Sequence, residues 1–339
     1  MCESRKLVSA RLLAAVIGLS LCLGTPRSAR AYERETHRVI GDTAVVRSNL
    51  DQILKNRYGL TQGIESPANG LSVRSWIGIG ANLEDVPSFR ALNHFHNPLQ
   101  PWSQAGGIGG QSSIYWQQNS NQGSGGTWSW PIARQRFFES LTLPSKNDRE
   151  TALADTARAL GQIMHMIQDA TSPPHTRNDP HPIYDGYEAR TDELRQTNPS
   201  RFNQFLSAPS IFPSPSIFTP TGDTTAAVSI ARLIDSDTFG GTLGSYTTGS
   251  QIGAAEYTNG GYVSDDTIFL DFPLPRVTSL GPGFCDPPSD PPAPPPCPAG
   301  SRQYFPKVGD GDSVGHFVAE GTFFERLRFR GQALGGFIL

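Results

Sequence analysis

One stretch constrains this chain more than any other: NDRETALADTARALGQIMHMIQDAT, residues 147–171, followed by Ser172 and a double proline. Leu153, Ala157, Leu160, Met164 and Ile167 recur there at three- and four-residue spacing, the pattern of an amphipathic helix with one buried stripe. Asp148 stands where a capping side chain is favoured. Pro173 and Pro174 end the helix, because proline clashes with the preceding turn and donates no backbone hydrogen bond. A helix of this length needs other elements packed along it. The rest of the chain supplies helical patterns, no repeat and no run of alternating strands. The expected fold is therefore all-α, a single mostly helical domain over residues 32–339 with long irregular loops.

The remaining elements follow from local pattern. In YERETHRVIGDTAVVRSNLDQILKNRYGL, Val39, Ile40, Ala44, Val45, Leu50 and Leu54 predict one or two amphipathic helices. Residues 67–80 read as a loop. Residues 104–127, rich in Gly, Ser and Gln, read as a long surface insertion without period. WPIARQRFFESL reads as a helix opened by Pro131, where proline is tolerated. Beyond residue 200 the pattern thins. SAPSIFPSPSIFTPTGD reads as loop and TTAAVSIARLID as a helix. Residues 273–300 read as a proline-rich loop, and HFVAEGTFFERLRFRGQAL as a last helix.

The N-terminus reads as an export signal. Residues 1–31 open with basic residues, carry an apolar run from Leu12 to Leu23, and end on the small residues Ala29 and Ala31. The run is too short for a membrane span, and Leu21 before Cys22 argues against a lipid-anchored cysteine. A secreted chain beginning at Tyr32 is expected. Five of the 28 basic and one of the 31 acidic residues leave with the signal, so 23 and 30 remain, a net charge near −7. Bulk electrostatics of that sign do not hold long polyanions. Of the four cysteines only Cys285 and Cys297 remain, and an oxidising compartment would close them into a disulfide across the proline loop.

Chemistry-bearing residues gather around the histidines. Six of the seven fall into three groups: His37 near the new N-terminus; His94 and His96 in NHFHNP, following Glu84 and Asp85; and His165, Asp169 and His175, followed by His181, Asp185 and Glu188. His165 and Asp169 are four apart and share one helix face, and the proline break lets His175 turn back toward them. Neutral imidazole is a favoured zinc ligand, and a carboxylate such as Asp169 can bridge two ions. Each residue alone reads more blandly: His37 as a half-buried surface histidine, His165 as a core histidine, Asp85 as a turn residue, His181 and Glu188 as solvated. Their coincidence favours metal. His316 has no such neighbours and reads as structural.

LGQIMHMIQDATSPPH resembles the hallmark of the zinc-dependent bacterial phospholipase C family, His-x3-Asp-x5-His with proline before the last histidine. RALNHFHNP is similar to the stretch that supplies a further ligand there. The resemblance runs over roughly residues 32–190 and extends to the related single-strand-specific nucleases. It implies one mostly helical domain around up to three zinc ions, with the amino group and carbonyl oxygen of the first mature residue binding metal. Carried onto this chain, it implies Tyr32, His37, Asp85, His94, His165, Asp169, His175, His181, Asp185 and Glu188 as ligands. Tyr32 stands where the family has tryptophan. His181 and Asp185 have the spacing of the third-metal pair but follow His175 unusually soon, while Glu188 matches the family's Tyr-Glu.

The function implied is a secreted zinc phosphoesterase. Zinc would neutralise the phosphate and lower the pKa of water to about 7. Asp85 is either a ligand or the base that orients the water, with Glu84 the fallback; Asp179 and Glu188 are candidates to orient the imidazoles from outside. A phospholipid is the first substrate choice, which brings transient contact with a membrane surface, and single-stranded nucleic acid is the second. A monomer is expected. The rival readings are a metal-binding protein without turnover and a proline-loop adhesin.

Overall fold

A computed structural model describes residues 34–180, 186–207, 230–237, 253–262 and 264, with three short strands after them. Tyr32, His181, Asp185, Cys297, His316 and the signal residues 1–31 lie outside the described residues, so the disulfide and the last three ligands of the expected third site are not described together. The described chain is all-α in its main part. Helices α1 (Arg34–Arg47) and α2 (Leu50–Tyr58) realise the first helical pattern as two elements, and Gly59 closes α2 in the left-handed region. Helix α3 spans Val73–Leu83, α4 Ser113–Gln118, α5 Trp130–Thr142 and α6 Lys146–Asp169. Then come a single turn α7 (Pro173–Thr176), α8 (Gly186–Thr197), α9 (Pro199–Ser207), α10 (Ile230–Ile234) and α11 (Ala254–Gly261).

Helix α6 is the axis of the molecule, and its burial differs from a one-sided stripe. Ala152, Ala154, Ala157, Ala159, Ile163 and Met166 are buried, while Leu153, Leu160, Met164 and Ile167 are only half-buried. Small side chains occupy the tightest positions because elements press on it from several sides. Ala157 joins Val45, Leu54, Ile64, Val73 and Ile77 in one apolar cluster. Ala159 and Ile163 join Ala133 in a second, and Ala170 joins Ile114, Ala231, Ile234, Ala254 and Ala255 in a third.

The closest approach is the crossing of α3 on α6. A Cβ added at Gly80 would stand 2.0 Å from the Arg158 carbonyl oxygen, and one at Gly161 would stand 2.0 Å from that of Ile77. Backbone meets backbone there, which only glycine permits.

Several expectations are corrected. Residues 67–80 are not a loop: strands β1 (Pro67–Ala68) and β2 (Leu71–Ser72) form a hairpin, and α3 follows with Ser72 accepting a cap bond from the Ser75 amide. Asn69 and Gly70 take positive φ at its turn, the pair that such a turn favours. Residues 104–127 are not a free surface insertion either, since they contain α4 and bury Ala105, Ile114, Trp116, Gln117 and Gln122. Tertiary hydrogen bonds order this polar segment where a local period is absent. The long helix starts earlier than expected, with Ser145 rather than Asp148 as its cap, and ends at Asp169 before the prolines; these open the next turn instead. Finally, β3 (Phe284–Asp286), β4 (Arg302–Pro306) and β5 (Phe317–Ala319) form a small antiparallel sheet in the order β3-β4-β5. Val318 thus pairs opposite Phe305 in a strand, not in the start of a last helix.

Candidate metal centre

Four segments converge at the C-terminal end of α6. Helix α1 brings His37, and the helix is tied to α3 by the Arg34 guanidinium, which donates to the Asn82 carbonyl at 2.8 Å and to Asn82 Oδ1 at 2.6 Å. The end of α3 carries Glu84 and Asp85. A 3-10 helix, Ser88–Asn93, delivers His94, and α6 itself carries His165 and Asp169. All of these side chains are buried, with His37, His165 and Asp169 fully shielded.

Asp169 is the hub. Its Oδ2 lies 2.8 Å from His94 Nδ1 and 3.2 Å from His165 Nε2, and its Oδ1 lies 3.4 Å from His37 Nε2. Asp85 faces the same space, 3.5 Å from His94 Nδ1 and 3.8 Å from His165 Nε2. Two overlapping triads, His37–Asp85–His165 and His94–His165–Asp169, each bring three ligand atoms within 4.8 Å of one another. The rings of His37 and His165 stack at 3.7 Å.

The outer contacts set the ring orientation. His165 Nδ1–H donates to the Ala81 carbonyl at 2.7 Å, and His37 Nδ1–H to Gln168 Oε1 at 2.7 Å. In the neutral rings each donation leaves the lone pair on Nε2, which faces the carboxylates; this is the tautomer a ligand needs. Glu84 lies on the other side of His94, 3.8 Å from Nε2. It receives Arg90 Nη2 at 2.9 Å and the Trp116 indole N–H at 2.7 Å. Arg90 also donates from Nε to the Glu84 carbonyl. Arg90 was invisible as a site residue in the sequence, and so were Gln168, the Ala81 carbonyl and the bond from Trp116 to Glu84. Only a tertiary contact reveals them.

His175 sits in α7, beside this group rather than within either triad. Its Nε2 lies 3.1 Å from Glu188 Oε1, which also accepts from Ser172 Oγ at 3.3 Å. The His94 and His175 rings are 6.3 Å apart. The backbone joins the two segments: the His96 amide donates to the His175 carbonyl at 2.8 Å, and Phe95 stacks on the His175 ring. His96 is itself held between Ser112 Oγ and Asp235 Oδ2, each at 2.7 Å, with the Trp102 indole N–H on the same aspartate oxygen. Asp179 is buried beyond α7, its amide donating to the Pro174 carbonyl.

The electrostatics call for a cation. Burial alone would push His94 down, but Asp169, Glu84 and Asp85 outweigh it and lift its pKa to about 10. His165 is raised likewise, burial being overcome by Asp169 and Asp85. Asp169 is held well below the carboxylate range: burial raises it, and His165, His175 and His94 more than reverse this. Asp85 is pushed up, chiefly by burial. Both oxygens of Asp85 and of Asp169, both ring nitrogens of His94, and His165 Nε2 make no directional hydrogen bond despite full burial. Apart from the ion-pair contacts among themselves these atoms have no hydrogen-bond partner among the described residues, and an ion among them would satisfy the remaining demand. The donor set of imidazole nitrogens and carboxylate oxygens fits a divalent metal of the zinc type. These buried His/Asp groups can hold a metal ion.

Comparison of the whole chain with protein-family models, with curated proteins and with solved structures finds no match.

Proposed function

We propose that this protein is a zinc-dependent phosphoesterase of the phospholipase C type, acting on a phospholipid or another phosphodiester. The observation that carries this reading is the sharing of Asp169 by His37, His94 and His165, which supports adjacent ion positions with a common carboxylate. Zinc, when bound, supplies Lewis acidity toward a phosphoryl oxygen and toward water. The chain's own residues do the rest. His37, Asp85, His94, His165 and Asp169 hold the charge in place, while Ala81, Gln168 and Glu84 fix the rings. Asp85 faces the same space as His94 and His165, at 3.5 and 3.8 Å, and from there its carboxylate can orient the attacking water. Glu84 is committed to Arg90 and Trp116 and acts by positioning His94, not as a base.

One observation favours a second reading. His37, Asp85, His94, His165, Asp169, His175 and Glu188 are all buried, as in a closed structural metal site with no room for substrate. The experiment that separates the two combines metal analysis with turnover. The full exported chain, purified without chelator, is assayed for zinc and for hydrolysis of phosphatidylcholine vesicles, bis-(p-nitrophenyl) phosphate and single-stranded DNA. The enzyme reading expects two or three zinc ions, as its site is built, and hydrolysis that chelator abolishes and zinc restores. Asp85→Asn should then lose about a hundredfold or more in rate. Stoichiometric zinc without turnover on any diester establishes the structural reading instead.

A further inference from the structure

An apolar concavity lies on α6 away from the metal centre. Ala157, on its wall, is two helical turns before His165, about 12 Å along the axis. The cavity has a volume of about 250 Å³ and is walled by α2, α5 and α6, with Ile53, Tyr58, Phe137, Leu153 and Leu160 around it. Its polar demand is nearly nil. The one hydroxyl deep on its wall, Thr156 Oγ1, is spent on the Ala152 carbonyl at 2.7 Å. Tyr58 and Phe137 touch edge to face at 5.1 Å on its wall, and Tyr58 remains partly exposed. One cation lies on the lining: Arg134, on an exposed turn of α5, makes no ion pair among the described residues.

A dry cavity of about 150 Å³ accepts a six-carbon ring, so this one scales to roughly ten carbons. An apolar slot of that size, with a guanidinium on its wall that pairs with no carboxylate among the described residues, matches a chain with an anionic head. We infer that the slot binds the acyl chain of a medium-length free fatty acid, with the carboxylate on Arg134. The tail loses water against Ile53, Leu153 and Leu160, and the guanidinium meets the carboxylate in fork geometry. None of the metal-centre residues lines the slot, so this site stands independently of the phosphoesterase reading.

The test is equilibrium binding of laurate and of dodecanol to the full-length chain, followed by calorimetry. Saturable laurate binding at one site per chain is expected. Arg134→Glu should weaken laurate by about tenfold and leave dodecanol within about twofold, since only the head group changes. Leu153→Trp should abolish both ligands by filling the slot. Zinc content and melting temperature serve as the fold check, and Arg134→Glu, on the surface, should alter neither. Absence of saturable binding by the wild-type chain overturns the proposal, including the case where another part of this chain occupies the slot. Equal loss of laurate and dodecanol in Arg134→Glu, or no loss in either variant, overturns it as well.

Discussion

Asp169 shows how much one residue carries. Its carboxylate faces three imidazoles at once, those of His37, His94 and His165, so its removal changes the surroundings of every one of them. In the metal-free protein Asp169→Asn should bring the His94 ring down from about 10 toward the ordinary range near 6.5, as read by NMR titration of the ring protons. The variant should also retain less than half the zinc of the wild type, measured by elemental analysis. The sign of the pH dependence follows from the raised ring. His94 titrates higher folded than unfolded, so its contribution is complete below about 6.5 and fades as the pH rises through about 10. His165, raised too, acts in the same direction. Metal-free protein should therefore lose unfolding free energy between these pH values in urea titrations, whereas zinc-loaded protein should not. Glu84 makes a different residue-scale case. Arg90 is fully buried and its charge is answered by this carboxylate. Glu84→Gln leaves that charge uncompensated and should cost about 3–5 kcal/mol, seen as an earlier urea midpoint at unchanged slope.

Among the elements, α6 was the most legible in the sequence, and its edges were the least. Its apolar spacing announced a helix, but which residues lie deepest depended on how many neighbours press on it. A one-sided stripe predicts Leu153 and Leu160 as core; the three-sided packing buries Ala154, Ala159 and Gly161 instead. The four-residue spacing of His165 and Asp169 and the break before His175 were readable because they are local. Arg90, the bond from Trp116 to Glu84 and the Ser112–His96–Asp235 connection were not, because each lies in a segment with no period and finds its partner far along the chain. Asn69-Gly70 was a local hairpin signal inside a stretch otherwise read as loop. The glycine crossing belongs to this scale. Gly161→Ala would set a methyl 2.0 Å from the Ile77 carbonyl and 2.8 Å from the Ala81 amide, forcing α3 outward. The expected cost is about 1–3 kcal/mol in thermal or urea unfolding. Because Ala81 also orients His165, zinc affinity should fall as well.

For the molecule as a whole, the metal centre is where helices from distant parts of the chain meet. Thr36 on α1 donates to Asp192 on α8 at 3.0 Å. Asp235, next to the end of α10, grips the histidine segment that backs onto His175. An ion held among these elements would bind the folded chain and not the unfolded one, so its removal should lower stability cooperatively. Chelation should therefore depress the melting temperature by several degrees or more, with a single transition in calorimetry if the elements unfold together. No described helix is long and apolar enough to cross a membrane.

The crossing of α3 on α6 has one more effect, which is angular. Gly161, His165 and Asp169 follow at four-residue steps, and each step advances a helix by about 40° beyond a full turn. All three therefore lie within a sector of about 80°. The contact that locks Gly161 against Ile77 thereby sets the phase of the ligands above it, much as a keyway fixes the rotation of a shaft. One residue inserted between Gly161 and His165 would keep the crossing and the helix but turn both ligands by about 100°, away from His37 and Asp85. In this chain the smallest side chain aims two of the most chemically demanding ones.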